Sequence, residues 1–115
     1  MSYDIDLIDE NGKPYKVDKF SEGGTQVLGG STESSLNITY NYSKFYDDLD
    51  EQEGIHWLHN KKAETTIIKL KAAIKKLSTN KAIDYWAATP ENAGFALSIL
   101  LKWAEQYPNG IFKVC

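Results

Sequence analysis

Three groups of residues have types and spacings that could do chemistry: two glycine pairs, two histidines beside a run of carboxylates, and a strand of alternating amides and hydroxyls. Backbone N–H groups around Gly23-Gly24 and Gly29-Gly30 can converge on an anion. However, neither G-x-x-x-x-G-K-S/T nor G-x-G-x-x-G occurs, and no helical pattern opens directly after either pair, as phosphate loops require. The pairs therefore read as turns or bulges that bracket a short strand at Thr25-Gln26-Val27-Leu28 and flank the polar strand beyond it.

His56 and His59 come closely after Asp47, Asp48, Asp50, Glu51 and Glu53. The resemblance to a metal site is superficial: no third ligand is fixed by position, and the acidic stretch lacks the ordered oxygens and central glycine of a calcium loop. A solvated acidic turn with a half-buried histidine is expected, with no metal and no cofactor. No G-x-S-x-G elbow is present, and Cys115 lacks any arrangement that would activate its thiol. No catalytic residue is assigned.

The third group is the best functional candidate. In a strand the side-chain period is two, so Glu33, Ser35, Asn37, Thr39 and Asn41 share one face while Leu36, Ile38, Tyr40 and Tyr42 share the other. Asn is depleted in strands and costs stability there, whereas a row of short amides and hydroxyls makes an adaptable hydrogen-bonding surface. The plainer alternative is the solvent face of an antiparallel sheet. These five residues, with Gly23, Gly24, Gly29 and Gly30 on the flank, form the expected ligand or partner surface. Tyr40, Tyr42, Phe45, Tyr46, Tyr85 and Trp86 could stack on a ligand, but core packing is the plainer reading for most of them.

The elements that must position these residues divide the chain into a strand-like half and a helical half. Tyr3, Ile5 and Leu7 alternate with Asp4 and Asp6, and Asp9 to Lys13 supplies a hairpin turn before Tyr15 to Val17. A small antiparallel sheet is thus expected over about residues 3–42. Ser43 can then cap a short amphipathic turn, and Ile55 to Leu58 is a further apolar piece. Apolar residues recur at helical spacing over 63–77, and Thr89-Pro90-Glu91 reads as a cap, a first-turn proline and an acidic start for a helix over 90–107. Pro108-Asn109-Gly110 stops that helix, and Ile111 to Val114 is a final strand or a docked tail. The fold class is α+β, one domain over 1–115, with the sheet packed against the helices.

Composition narrows the function classes. The chain has 115 residues, a net charge of -3 and 13 basic residues, all of them lysine. Without arginine it lacks the planar fork that most often grips phosphate or guanine, which disfavours nucleic acid, although Lys69, Lys71, Lys75, Lys76 and Lys81 could form a local basic patch. A single cysteine gives no internal disulfide, no apolar run suits a membrane span, and the acidic start is unlike a signal peptide. A cytoplasmic location is expected.

The run Leu36-Asn37-Ile38-Thr39-Tyr40-Asn41-Tyr42-Ser43, with Gly23-Gly24-Thr25, Gly29-Gly30, Glu91-Asn92-Ala93 and Pro108-Asn109-Gly110-Ile111, resembles a small protein family of phages, prophages and bacteria. In that family the last turn is Pro-Asp-Gly, a conservative difference from Pro108-Asn109-Gly110. The resemblance implies context rather than mechanism. It points to a non-catalytic phage or mobile-element binding module that engages a host protein or a small soluble ligand, with countering host defence as one such role. The alternative is a small enzyme acting on a nucleotide-like or other polar small molecule. Self-association as a homo-oligomer is compatible with either.

Overall fold

The computed structural model describes residues 2–17, 25–27, 33–77 and 89–115; Gly23, Gly24, Gly29, Gly30, Lys81, Tyr85 and Trp86 lie outside the described residues. The elements run β1 (Ser2–Ile8), β2 (Thr25–Val27), β3 (Ser35–Thr39), two 3-10 helices at Tyr40–Asp48 and Gly54–Leu58, α1 (Ala63–Leu77), α2 (Pro90–Gln106) and β4 (Ile111–Val114). The strands form one antiparallel sheet in the order β2-β3-β1-β4, so the α+β architecture holds and the last segment is a strand. No helix among the described residues is long and apolar enough to cross a membrane.

Alternation decides which face of each strand meets the helices. Ile5, Leu7, Leu36, Ile38, Phe112 and Val114 are buried and share one core with Leu70, Ala73 and Leu77 of α1 and Ala93, Ala96, Leu97, Leu100 and Trp103 of α2. Thr89 caps α2 as its type suggests, its hydroxyl accepting from the Asn92 N–H at 3.2 Å, with Pro90 in the first turn. The first amides of α1 are satisfied differently: Ala63 N–H donates to the Gly110 carbonyl at 2.7 Å and Glu64 N–H to that of Pro108 at 3.0 Å. The turn after α2 thus closes the open end of α1.

Two sequence expectations are corrected. The polar strand does not continue to Tyr42, and Ser43 does not cap the helical segment after it. β3 ends at Thr39, whose hydroxyl accepts from the Asn41 N–H at 3.3 Å, and the chain enters a 3-10 helix at Tyr40. Tyr42 and Tyr46, one turn apart, both reach the core, whereas Tyr40 is 39% exposed. The second correction concerns the hairpin. The turn itself forms, with Asp9 Oδ1 accepting from the N–H groups of Asn11 at 2.8 Å and Lys13 at 3.0 Å, and Gly12 at φ +79°. Residues 15–17 nevertheless make no strand, because β1 is central and both its edges are taken by β3 and β4. Ser34 ties this segment down instead. Its buried hydroxyl donates to the Leu7 carbonyl at 2.6 Å and accepts from the Tyr15 N–H at 2.9 Å.

Gly110 is where these pieces meet most closely. A Cβ there would lie 2.8 Å from Tyr15 Cε2 and 2.9 Å from Leu7 Cδ1. Gly110→Ala is therefore expected to cost about 1–3 kcal/mol by overpacking, read as a lower urea midpoint; an unchanged midpoint would mean that Leu7 and Tyr15 can move aside. Burial pushes the Tyr46 phenol well above its ordinary 10.0, with the Tyr42 and Tyr3 phenols adding to the shift. A raised value means the fold favours the neutral phenol, so this contribution is complete below the unfolded value and is lost as pH rises through the alkaline range. Because the Tyr46 O–H reaches the Ala93 carbonyl at only 3.5 Å, Tyr46→Phe should change neutral stability by less than about 1 kcal/mol. The same variant should flatten the alkaline fall in melting temperature.

Candidate functional site

The sheet face opposite the core carries the polar row, and its pairs are set by the register. Asp4 lies opposite Asn37, Asp6 opposite Ser35 and Lys113, and Ser2 opposite Thr39. Asn37 and Thr39 are half-buried, Ser35 is only 6% exposed, and Glu33 is exposed beside β3, bridged to Lys16. Asn41 is exposed in the 3-10 helix, off the strand face. The Asn37 amide is engaged within the sheet. It donates to Asp4 Oδ1 at 2.7 Å, Ser2 Oγ at 2.6 Å and, at 3.4 Å, the Tyr3 carbonyl. The sheet's polar face is therefore partly a cross-strand network, joining β3 to β1 by side chains as well as backbone.

A second surface lies where the 3-10 helix Gly54–Leu58 meets the end of β4. Ile55 and Leu58, three apart, are buried, which leaves His56 and His59 exposed and Trp57 half-buried. The bend into this helix is set by Gly54 at φ +56°, and Asp50 Oδ2 accepts from the Glu53 N–H at 3.2 Å. After the helix, Asn60 takes a left-handed φ of 64°, and its N–H donates to the Phe112 carbonyl at 2.8 Å while Phe112 N–H donates to the Lys61 carbonyl at 3.0 Å. Residues 60–62 thus line the outer edge of β4.

Between these segments opens a groove of about 490 Å³ lined by Gln52, Glu53, His56, Trp57, His59, Lys61 and Val114. Two ammonium groups lie over the Trp57 ring, Lys69 at 4.5 Å and Lys61 at 5.1 Å from its centre. Lys69 also donates to the Leu49 carbonyl at 3.1 Å. His59 Nδ1 accepts from the Val114 N–H at 3.0 Å. Next to the groove runs a row of rings: Tyr40 sits 4.5 Å from Tyr3, and Tyr3 meets His56 edge-on at 5.4 Å. Burial raises the Tyr3 phenol above its ordinary value; the Ser43 hydrogen bond lowers it and the Tyr40 phenol adds to the rise. A smaller groove of about 380 Å³, lined by Asp9, Glu10, Asn11, Tyr15 and Asn109, lies beside the first turn.

Against the sequence reading, neither histidine is half-buried. His59 Nδ1 is committed to a backbone amide, and no group of three or more His, Cys, Asp or Glu residues is placed to hold a metal among the described residues. The lysines of α1 do not act as one patch: Lys71 pairs with Glu105 at 3.7 Å, Lys76 with Asp48 at 2.9 Å, and Lys69 faces Trp57. The groove was not among the sequence candidates. Its signal is the spacing of Ile55 and Leu58, which turns His56, Trp57 and His59 away from the core. Comparison of the chain with protein-family models, curated proteins and solved structures gives no match.

The two asparagines of the strand motif should separate in a stability measurement. Asn37→Thr, which removes the bonds to Asp4 and Ser2, is expected to cost about 0.5–1.5 kcal/mol in urea denaturation. Asn41→Thr, on the exposed 3-10 helix, should stay within about 0.5 kcal/mol of the parent. Equal effects would mean that the cross-strand amide contributes nothing to the sheet.

Proposed function

We propose that this chain is a non-catalytic binding module that engages a host protein or a small ligand, in the phage or mobile-element setting its strand motif implies, and that it does so at the Trp57 groove. The observation that supports this most is the concentration of aromatic surface there. Two ammonium groups lie over the Trp57 ring, and His56, on the same lining, meets Tyr3, which in turn meets Tyr40. Rigid amphipathic rings give large contact area at low entropic cost, which is why they concentrate at recognition surfaces. The carboxylate and imidazoles lining the groove, Glu53, His56 and His59, stand exposed to water, and Lys61 is half-buried. That placement suits recognition by charge and stacking more than proton transfer by a desolvated acid or base.

The test is amide and indole NMR on isotope-labelled protein, titrated with a panel of aromatic amino acids, nucleotides and short aromatic peptides. Saturable shifts centred on Trp57, His59 and Val114, with each probe recovered unchanged after incubation, are expected. Shifts confined to Asp4, Asn37 and Thr39 would move the site to the sheet face. Conversion of a probe would make the chain an enzyme.

A further inference from the structure

Lys61 and Glu53 both line the groove, yet no ion pair joins them. Among the described residues the Lys61 ammonium meets no carboxylate; it rests over the Trp57 ring. A charge held against an aromatic face and left without a counter-ion is available to an anion, and partial desolvation by the ring strengthens that attraction.

His59 supplies the second element. A ring nitrogen that accepts a hydrogen bond carries a lone pair, so the Val114 N–H on Nδ1 selects the neutral tautomer with its proton on Nε2. The same bond fixes the ring's orientation, as a backbone partner does for a metal-bound histidine. His59 lines the same groove as Lys61, so an imidazole held by Val114 and an ammonium share one lining. Gln52 adds an amide to the same lining.

We infer that the Trp57 groove binds a small organic anion, one carrying a phosphate or carboxylate group, through the Lys61 ammonium and the His59 Nε2–H. The inference rests on the binding role proposed above and names its ligand chemistry. Glu53 acts as the selective element: its carboxylate repels an extended polyanion and accepts a hydrogen bond from a hydroxyl or amine elsewhere on the ligand. The class is therefore a compact anion with a hydrogen-donating body, such as a nucleoside monophosphate or a hydroxy acid.

The experiment tracks the Val114 amide, whose acceptor is His59, and the Trp57 indole by NMR during titration with adenosine monophosphate, adenosine, inorganic phosphate and benzoate. Adenosine monophosphate should shift both signals saturably, and inorganic phosphate and benzoate, which lack its hydrogen-donating body, should do so more weakly; either binding more tightly than the monophosphate would overturn the role given to Glu53. Adenosine should bind at least about tenfold more weakly than its monophosphate, since hydrogen bonds to charged groups are worth that much or more. Lys61→Met should weaken the anion by a similar factor. His59→Asn places an oxygen where Nδ1 stood, so it can keep the Val114 bond, but it has no group at the Nε2 position; it should melt like the parent and bind the anion about tenfold more weakly. Added salt should weaken binding further.

Equal affinity for adenosine and its monophosphate, or affinity unchanged in both variants, would overturn the anion assignment while leaving the binding role standing. If neither these probes nor the wider panel perturb the groove signals, both fall.

Discussion

The structure depends on the close approach at Gly110. Side-chain atoms of Leu7 and Tyr15 occupy the space a Cβ would need, and the carbonyl of the same residue receives the first amide of α1. One position thus seals the core against the central strand, ends the turn after α2 and starts α1. Around it the contacts are mutually reinforcing: Tyr15 stacks on Tyr107 at 4.1 Å, Tyr107 hydrogen-bonds to the Lys16 carbonyl, and Gly110 N–H donates to the Tyr107 carbonyl at 3.0 Å. β4 begins at the next residue and runs out to Val114, so the groove's wall inherits its position from this junction.

Much of this fold is legible in the sequence where local signals and tertiary packing agree. α1 and α2 match their expected spans almost residue for residue, because apolar periodicity, the Thr89 cap and Pro90 all point the same way. β1 is legible by alternation, whereas Ile111 to Val114 read as either a final strand or a docked tail and the sheet decides for the strand. The misreading at Tyr40 and Tyr42 has a specific cause. A residue two positions beyond Ile38 and another four beyond it fit a strand's period, while Tyr42, Tyr46 and Leu49 also fit a helical one. Thr39 breaks the tie, since a short hydroxyl that reaches the amide two residues on favours a turn over a continued strand. The lost hairpin has a different cause: turn chemistry at Asp9 and Gly12 is local, whereas which strands flank β1 is a property of the whole sheet.

The candidate site was less legible because its parts come from distant segments. A row of amides along one strand is visible in a sequence, and Asn37, Ser35 and Thr39 do lie in β3. What the row does with its hydrogen bonds is not visible, since Asp4 and Ser2 are more than thirty positions away along the chain. The groove shows the same difficulty in reverse. His56 and His59 read in the sequence as a superficial metal pattern and Trp57 as part of an apolar piece, until Val114 and Lys69 are brought beside them. Only long-range contacts turn those three side chains into a surface.

This contrast bears on where recognition can reside. On the sheet face, Asn37 donates to Ser2, Asp4 and Tyr3, so a ligand there would have to displace bonds that hold β3 to β1. In the groove the internal bond works in the other direction. The Val114 amide uses only Nδ1 of His59, and using it orients the opposite nitrogen as a donor. A ligand held by that donor would leave the Val114 bond in place, so binding in the groove takes no hydrogen bond from the sheet. The segment 60–62 joins the outer edge of β4, through the Phe112 bonds and the Lys62–Ile111 bridge, to the start of α1.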